Sequence, residues 1–169
     1  MNDTARLMKT VDKLKRDMER QAAQEGGEIA VRYSTAAAQS IPHNSATIIN
    51  YETASFDPDS LVTAGTAWAF TAPVGGVYAV SAMATYGQTT TWADGEFGLI
   101  ELRVNGTIAS RLDLKNLGSG SAIYMALEGS DLVSLASGDT VDIRTQQTSG
   151  SALALLNSAA YNHVAIWKI

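Results

Sequence analysis

The apolar residues of this chain change their period near residue 28, and that change limits what the chain can fold into. Over residues 3–25, Leu7, Val11, Leu14 and Met18 recur at spacings of four, three and four. That is the a/d seam of a heptad helix, and Thr4 and Gln21 continue it with polar residues. Opposite charges four residues apart, Asp12 with Arg16, Lys13 with Asp17 and Lys15 with Glu19, support a solvated helix face. Gly26 and Gly27 stop the helix. A helix with only about three turns of stripe is marginal alone in water. It therefore lies on its own domain or associates with copies of itself. The narrow stripe with charged flanks favours a coiled coil over residues 1–27.

From residue 28 the helical period is gone. Short apolar or alternating runs are separated by Gly, Asn, Asp, Ser and Thr. Ten strands are expected, near 29–34, 46–51, 66–71, 76–86, 97–104, 107–113, 121–128, 131–136, 140–147 and 161–169. Many short strands at this spacing make an antiparallel sandwich or barrel. Ile100, Leu102 and Val104 alternate with Glu101 and Arg103, and Val141 and Ile143 with Asp142 and Arg144, as half-buried strands do. Asn105-Gly106 marks a type I′ hairpin turn, since both residues tolerate positive φ. Ser137-Gly138-Asp139 is a second tight connection.

Two strands are apolar on both faces. Over 76–86, Tyr78, Val80, Ala82, Ala84 and Tyr86 lie on one face, Val77, Ala79 and Met83 on the other. Near the end of the chain Val164 and Ile166 oppose Ala165, Trp167 and Ile169. A solitary sandwich leaves one such face wet, whereas an oligomer covers it. Tyr78, Val80, Trp167 and Ile169 are expected at a subunit contact, beside the helix residues Leu7, Val11, Leu14 and Met18.

Composition narrows the function. With 12 Lys and Arg against 17 Asp and Glu, the net charge of −5 argues against a nucleic-acid surface and against anionic lipid. The absence of cysteine removes disulfides, thiolate catalysis and cysteine metal sites. The polar start MNDTARLMKT is no secretory signal, so synthesis in a cytoplasm is expected. His43 and His163 each stand alone, and no nucleophile elbow, phosphate loop or zinc-protease helix is present. Asp57 with Asp59, and Asp94 with Glu96, are carboxylate pairs that suit a glycosidase or calcium, yet Asp-Pro and Asp-Gly read more simply as turns. No catalytic residue, cofactor or metal is assigned.

Trp92 sits in a polar stretch, Gln88 to Gly95. An exposed aromatic beside amides and carboxylates can stack on sugar rings, which makes Trp92, Asp94 and Glu96 the candidate ligand-binding loop. The simpler arrangement folds Trp92 back to cap the core or a subunit contact.

The run Ala69-Phe70-Thr71-Ala72-Pro73-Val74-Gly75-Gly76-Val77-Tyr78-Ala79-Val80-Ser81 resembles a signature of the complement-1q and tumour-necrosis-factor jelly-roll family. In family order follow Leu102-Arg103-Val104-Asn105-Gly106, then Leu135-Ala136-Ser137-Gly138-Asp139-Thr140-Val141, then a closing strand ending at Ile169. The resemblance covers residues 28–169. It implies a ten-stranded jelly roll, a tight threefold trimer, binding loops away from the stalk, and recognition in place of catalysis. No collagen repeat precedes the head, and Val80 stands where the family often has Phe. A coiled coil with such a head is similar to bacteriophage head fibres, decoration proteins, minor tail proteins and short tail fibres. The expected location is a virion surface, with the N-terminal helix bound to capsid or tail and the head free to meet a host glycan or protein. A cellular or spore-surface adhesion module and a glycan-degrading tail enzyme are the competing expectations.

Overall fold

The computed structural model describes Lys9 and residues 11–16, 29–87, 92–118 and 124–169. Lys9 and residues 11–16 are helical. The rest is an antiparallel sandwich of two main sheets, with strands numbered in chain order.

The first sheet runs β10 (Met125–Leu135), β7 (Gly76–Tyr86), β13 (His163–Lys168), β1 (Ala30–Ser34), β4 (Thr53–Phe56). The second runs β5 (Val62–Thr63), β6 (Ala69–Thr71), β11 (Thr140–Gln147), β8 (Phe97–Val104), β9 (Thr107–Asn116), with β3 (Thr47–Ile48) also on β11. A small ribbon pairs β2 (Ser40–Ile41) with β12 (Leu153–Ala154). The two main sheets hold eleven strands, β3 included, where ten are expected, and β4 and β5 lie outside the expected stretches.

Alternation decides which side chains fill the space between the sheets. Val31, Tyr78, Val80, Ala82, Val164 and Ile166 enter from the first sheet, and Phe70, Ile100, Leu102, Val141 and Ile143 from the second. Edge-to-face aromatic contacts tie the layers. Trp68 packs against Tyr51 with ring centroids 5.3 Å apart and against Tyr33 at 6.3 Å. Phe70 meets Tyr78 at 5.6 Å with the rings tilted at 59°. Each such pair adds about 0.5–1.5 kcal/mol beyond its area.

The hairpin at Asn105-Gly106 forms as the sequence requires, with φ of 51° and 77°. Its side chain also reaches across the sheet. Asn105 Nδ2 donates to Asp139 Oδ1 at 2.9 Å, and the Thr140 amide donates to Asn105 Oδ1 at 2.9 Å. The two turns are thus one unit, and these bonds, Asn105 first and the Ala136 amide second, hold the Asp139 carboxyl below its usual range.

Two expectations need correction. Residues 121–128 and 131–136 are not separate strands; Met125–Leu135 is a single strand crossing Gly129. The glycine there is not a break. A Cβ on it would strike the carbonyl of Leu112, so the missing side chain lets β9 cross over β10. Strand β4 lies in a stretch, Thr53–Phe56, where no strand is expected; all four of its residues are exposed, so no burial pattern marks it.

Gly129→Ala should lower stability by about 1–3 kcal/mol, because a backbone atom blocks the methyl group. Its thermal midpoint, compared with that of Gly138→Ala, where nothing lies within reach of a Cβ and only the φ of 90° resists, separates crowding from backbone strain.

Candidate functional site: the outer face of the five-stranded sheet

The two sheets turn different faces to solvent. On the second sheet, β8 and β11 place Glu101 beside Arg144 and Arg103 beside Asp142. Arg103 pairs with Glu101 through its Nε at 2.7 Å, and Arg144 Nε with Asp142 at 2.7 Å. The Asp142 contact holds the Arg144 guanidinium above its usual range. Glu101 and Asp142 are nearly buried beneath the two arginines, and the four charges cancel one another on that face.

The first sheet differs. Register puts Leu132, Ala79, Trp167 and Ala30 in one row across β10, β7, β13 and β1. The next row is Ser130, Ser81, Ala165 and Arg32. Val77 and Ile169 flank the first row, joined by an Ile169 amide to Val77 carbonyl bond of 2.9 Å. Trp167 is 40% exposed, Val77 44%, Leu132 59% and Ile169 68%. Trp167 and Leu132 border a cleft of about 300 Å³ over Ala79. Contiguous exposed apolar side chains of this kind mark an interaction surface.

The helix shares this property. Val11 and Leu14 are each 56% exposed, so the described part of the heptad stripe is not packed on the head. Leu7 and Met18 lie outside the described residues. The chain enters the head at Ala30, which pairs with Trp167, so the N-terminal segment joins at the apolar end of the sheet.

Other expected site residues fall elsewhere. Tyr78 and Val80, expected at a subunit contact, are fully buried in the chain's own core. Tyr78 packs on Phe70 and donates its hydroxyl proton to the Val74 carbonyl at 2.8 Å. The strand is two-sided as expected, but its outward face is that of Val77 and Ala79. Trp92 is likewise interior, 1% exposed and set edge-on to Tyr86 at 6.3 Å. It caps the core and offers no stacking platform, so the loop loses the side chain that made it a ligand candidate. Glu96 folds back to accept the Ala93 amide at 2.6 Å, which closes the turn carrying Asp94. Asp57 does the same for Leu61 and Val62 and accepts the Tyr33 hydroxyl at 2.7 Å. Burial and that carboxylate push the Tyr33 phenol up to about 12. These carboxylates organise turns.

Leu132 is the surface residue that sequence reasoning does not single out. Its signal is parity: Met125, Leu127, Val133 and Leu135 point inward, and Leu132 is the apolar residue out of phase. Parity can be read only once residues 125–135 are taken as one strand.

Trp92→Ala should cost about 3–5 kcal/mol in denaturant unfolding, as for a core aromatic, whereas an exposed tryptophan would leave the midpoint nearly unchanged. His163, on the same outer face, carries a pH dependence. Burial chiefly, then Arg32, holds its imidazole below the ordinary range, with the Ala159 backbone and then Glu128 acting in the opposite sense. The unfolded chain takes up this proton first, so stability should fall as pH drops below about 6.5. In His163→Gln that part of the pH profile should flatten.

No protein-family model matches the sequence, and no curated protein sequence does. Solved structures do match. The structure of Eiger TNF from S. frugiperda superposes with a TM-score of 0.58 at 15% identity, over 84% of this chain and 92% of that one. Murine APRIL gives 0.60 at 11% identity, over 84% and 99%. The globular domain of zebrafish complement 1qA gives 0.56 at 15%, over 83% and 96%. At such identities the likeness concerns architecture alone, and the fold of this chain is the jelly roll shared by tumour-necrosis-factor-like and complement-1q-like domains.

Proposed function

We propose that the chain is a non-enzymatic homotrimeric structural or adhesion protein of a bacteriophage virion surface: a minor tail protein, a tail fibre, or a capsid decoration or head fibre. The observation that carries the self-association is the apolar patch of Val77, Leu132, Trp167 and Ile169 on the five-stranded sheet, at the end where the N-terminal segment enters. A second copy of the chain is its occupant. The exposed heptad residues Val11 and Leu14 favour assembly at that same end. One device then serves both parts: helices gather three chains, and the heads bury their apolar faces. Three strands suit a head whose fold resembles the complement-1q and tumour-necrosis-factor jelly roll. The helices would hold capsid or tail, leaving the opposite end of each head to face the host. Among the described residues, no cluster of three His, Asp or Glu suited to a metal is found, and one member of each carboxylate pair, Asp57 and Glu96, is engaged in a turn.

Sedimentation at micromolar concentration should show a compact species of three chains. Leu132→Asp or Trp167→Asp should shift it toward monomer with the head still folded, since a carboxylate cannot be buried unpaired without large cost. Leu14→Asp should weaken assembly or particle attachment and leave the head folded. A monomeric wild type would overturn the self-association, and antibody labelling that misses the particle surface would overturn the location.

A further inference from the structure

The outer face of the five-stranded sheet has a second end. Along β7, Met83 and Thr85 lie four to eight residues beyond Val77 and Ala79, roughly 13–26 Å away at strand rise. There the sheet is not flush with solvent. A cleft of about 450 Å³ opens between β10 and the segment that leads into β13, within the range that holds small ligands. Met83 and Leu156 form part of its floor, and Tyr124, Asn157, Ser158 and Tyr161 part of its rim. Tyr124 is 59% exposed and Tyr161 50%.

The rim is held in place before any ligand arrives. Asn162, fully buried, accepts the Thr85 amide on its Oδ1 at 2.8 Å. Thr85 Oγ1 donates to the Tyr161 carbonyl at 3.1 Å, and the Leu156 amide donates to the Thr85 carbonyl at 2.8 Å. The Tyr161 and Asn162 amides both bond the Ser158 carbonyl at 3.1 Å. The turn carrying Tyr161 is thus stapled to β7, and a ligand meets a surface that needs little reordering.

The lining selects a chemistry. Among the described residues it includes no charged side chain, so nothing in that lining would repay the desolvation of a phosphate, a carboxylate or an ammonium group. Two phenol rings offer flat apolar faces with polar tips. The hydroxyls of Tyr124, Tyr161 and Ser158 and the Asn157 amide belong to the lining, and together they present both donors and acceptors. A ligand that matches has one apolar face of C–H bonds and a rim of uncharged hydroxyls. That is the surface of a neutral pyranose ring.

We infer that this cleft is a binding site for a neutral saccharide, stacked on Tyr161 and Tyr124 and hydrogen-bonded by Asn157 and Ser158. The inference gives the adhesion part of the proposed function a location and a ligand class, and it rests on that reading. It replaces the Trp92 loop as the place where sugar would bind.

Saturation-transfer NMR on the full chain, with the methyl glycosides of glucose, galactose, mannose and N-acetylglucosamine as probes, tests it. At about 10 mM sugar, at least one glycoside should receive saturation on its ring protons. Tyr161→Ala and Tyr124→Ala should each weaken that glycoside by about tenfold or more, a loss of about 1.4 kcal/mol. Asn157→Ala should weaken it less, and Ile108→Ser, on exposed β9 of the other sheet, should leave binding unchanged. No transfer to any of the four, or equal transfer in the tyrosine variants, overturns the inference while leaving trimer assembly standing. Loss of assembly in a folded Tyr161→Ala also overturns it, because the cleft would then be a contact between copies. Sugar binding by a wild type that sediments as monomer supports the cleft and removes the trimer.

Discussion

The structure depends on a single constraint at β7. This strand lies between β10 and β13, so its backbone is paired on both edges, and it is apolar on both faces. One face closes the core through Tyr78, Val80, Ala82, Ala84 and Tyr86, all essentially without exposure. The other must be covered by something outside the chain or remain a liability in water. Everything proposed about function grows from that second face. Its neighbours in register, Leu132 and Trp167, extend the apolar surface across three strands, while the opposite sheet closes its outer face with paired charges. The asymmetry is difficult to explain for a chain that works alone.

The two ends of this face differ in chemistry, and the difference follows from how each is built. The Trp167 end is made of regular strands, whose alternating side chains give a flat apolar row. At the Tyr161 end an irregular segment, Leu156 to Asn162, overhangs the sheet and is fixed to it by a buried amide. Flat rows suit another copy of the chain, whereas an overhang with polar tips suits a small ligand. Binding residues on loops held by a rigid sheet are a common division of labour.

Much of the fold is legible in the sequence because side chains in strands repeat every two residues. The alternation of Ile100, Leu102 and Val104 with Glu101 and Arg103 needs no tertiary information, nor does the Asn105-Gly106 turn. What local pattern does not carry is the choice between two equivalent faces. Tyr78 and Val77 are both apolar, and only the arrival of Phe70 from the other sheet decides that Tyr78 turns inward. Gly129 misleads for a related reason: a glycine in a strand reads as a break unless the Leu112 carbonyl that fills its place is known. Trp92 misleads because its neighbours in sequence are largely polar, while its partner Tyr86 belongs to the end of β7. In each case the deciding contact comes from outside the local run of residues.

The pairing of β1 with β13 sets a condition on when the head can fold. Ala30 to Ser34 must wait for Trp167 to His163, a sequence separation close to the full length of the head. The last strand also inserts between β1 and β7, so the five-stranded sheet cannot close by growing outward as the chain is made. Non-local pairing of this kind slows folding, because loop entropy is lost before contacts reward it. While it waits, β7 is exposed along the edge that β13 will fill, with an apolar face on either side. A population of nascent heads therefore faces a race between closing the sheet and pairing with another chain's open edge, and the outcome depends on concentration.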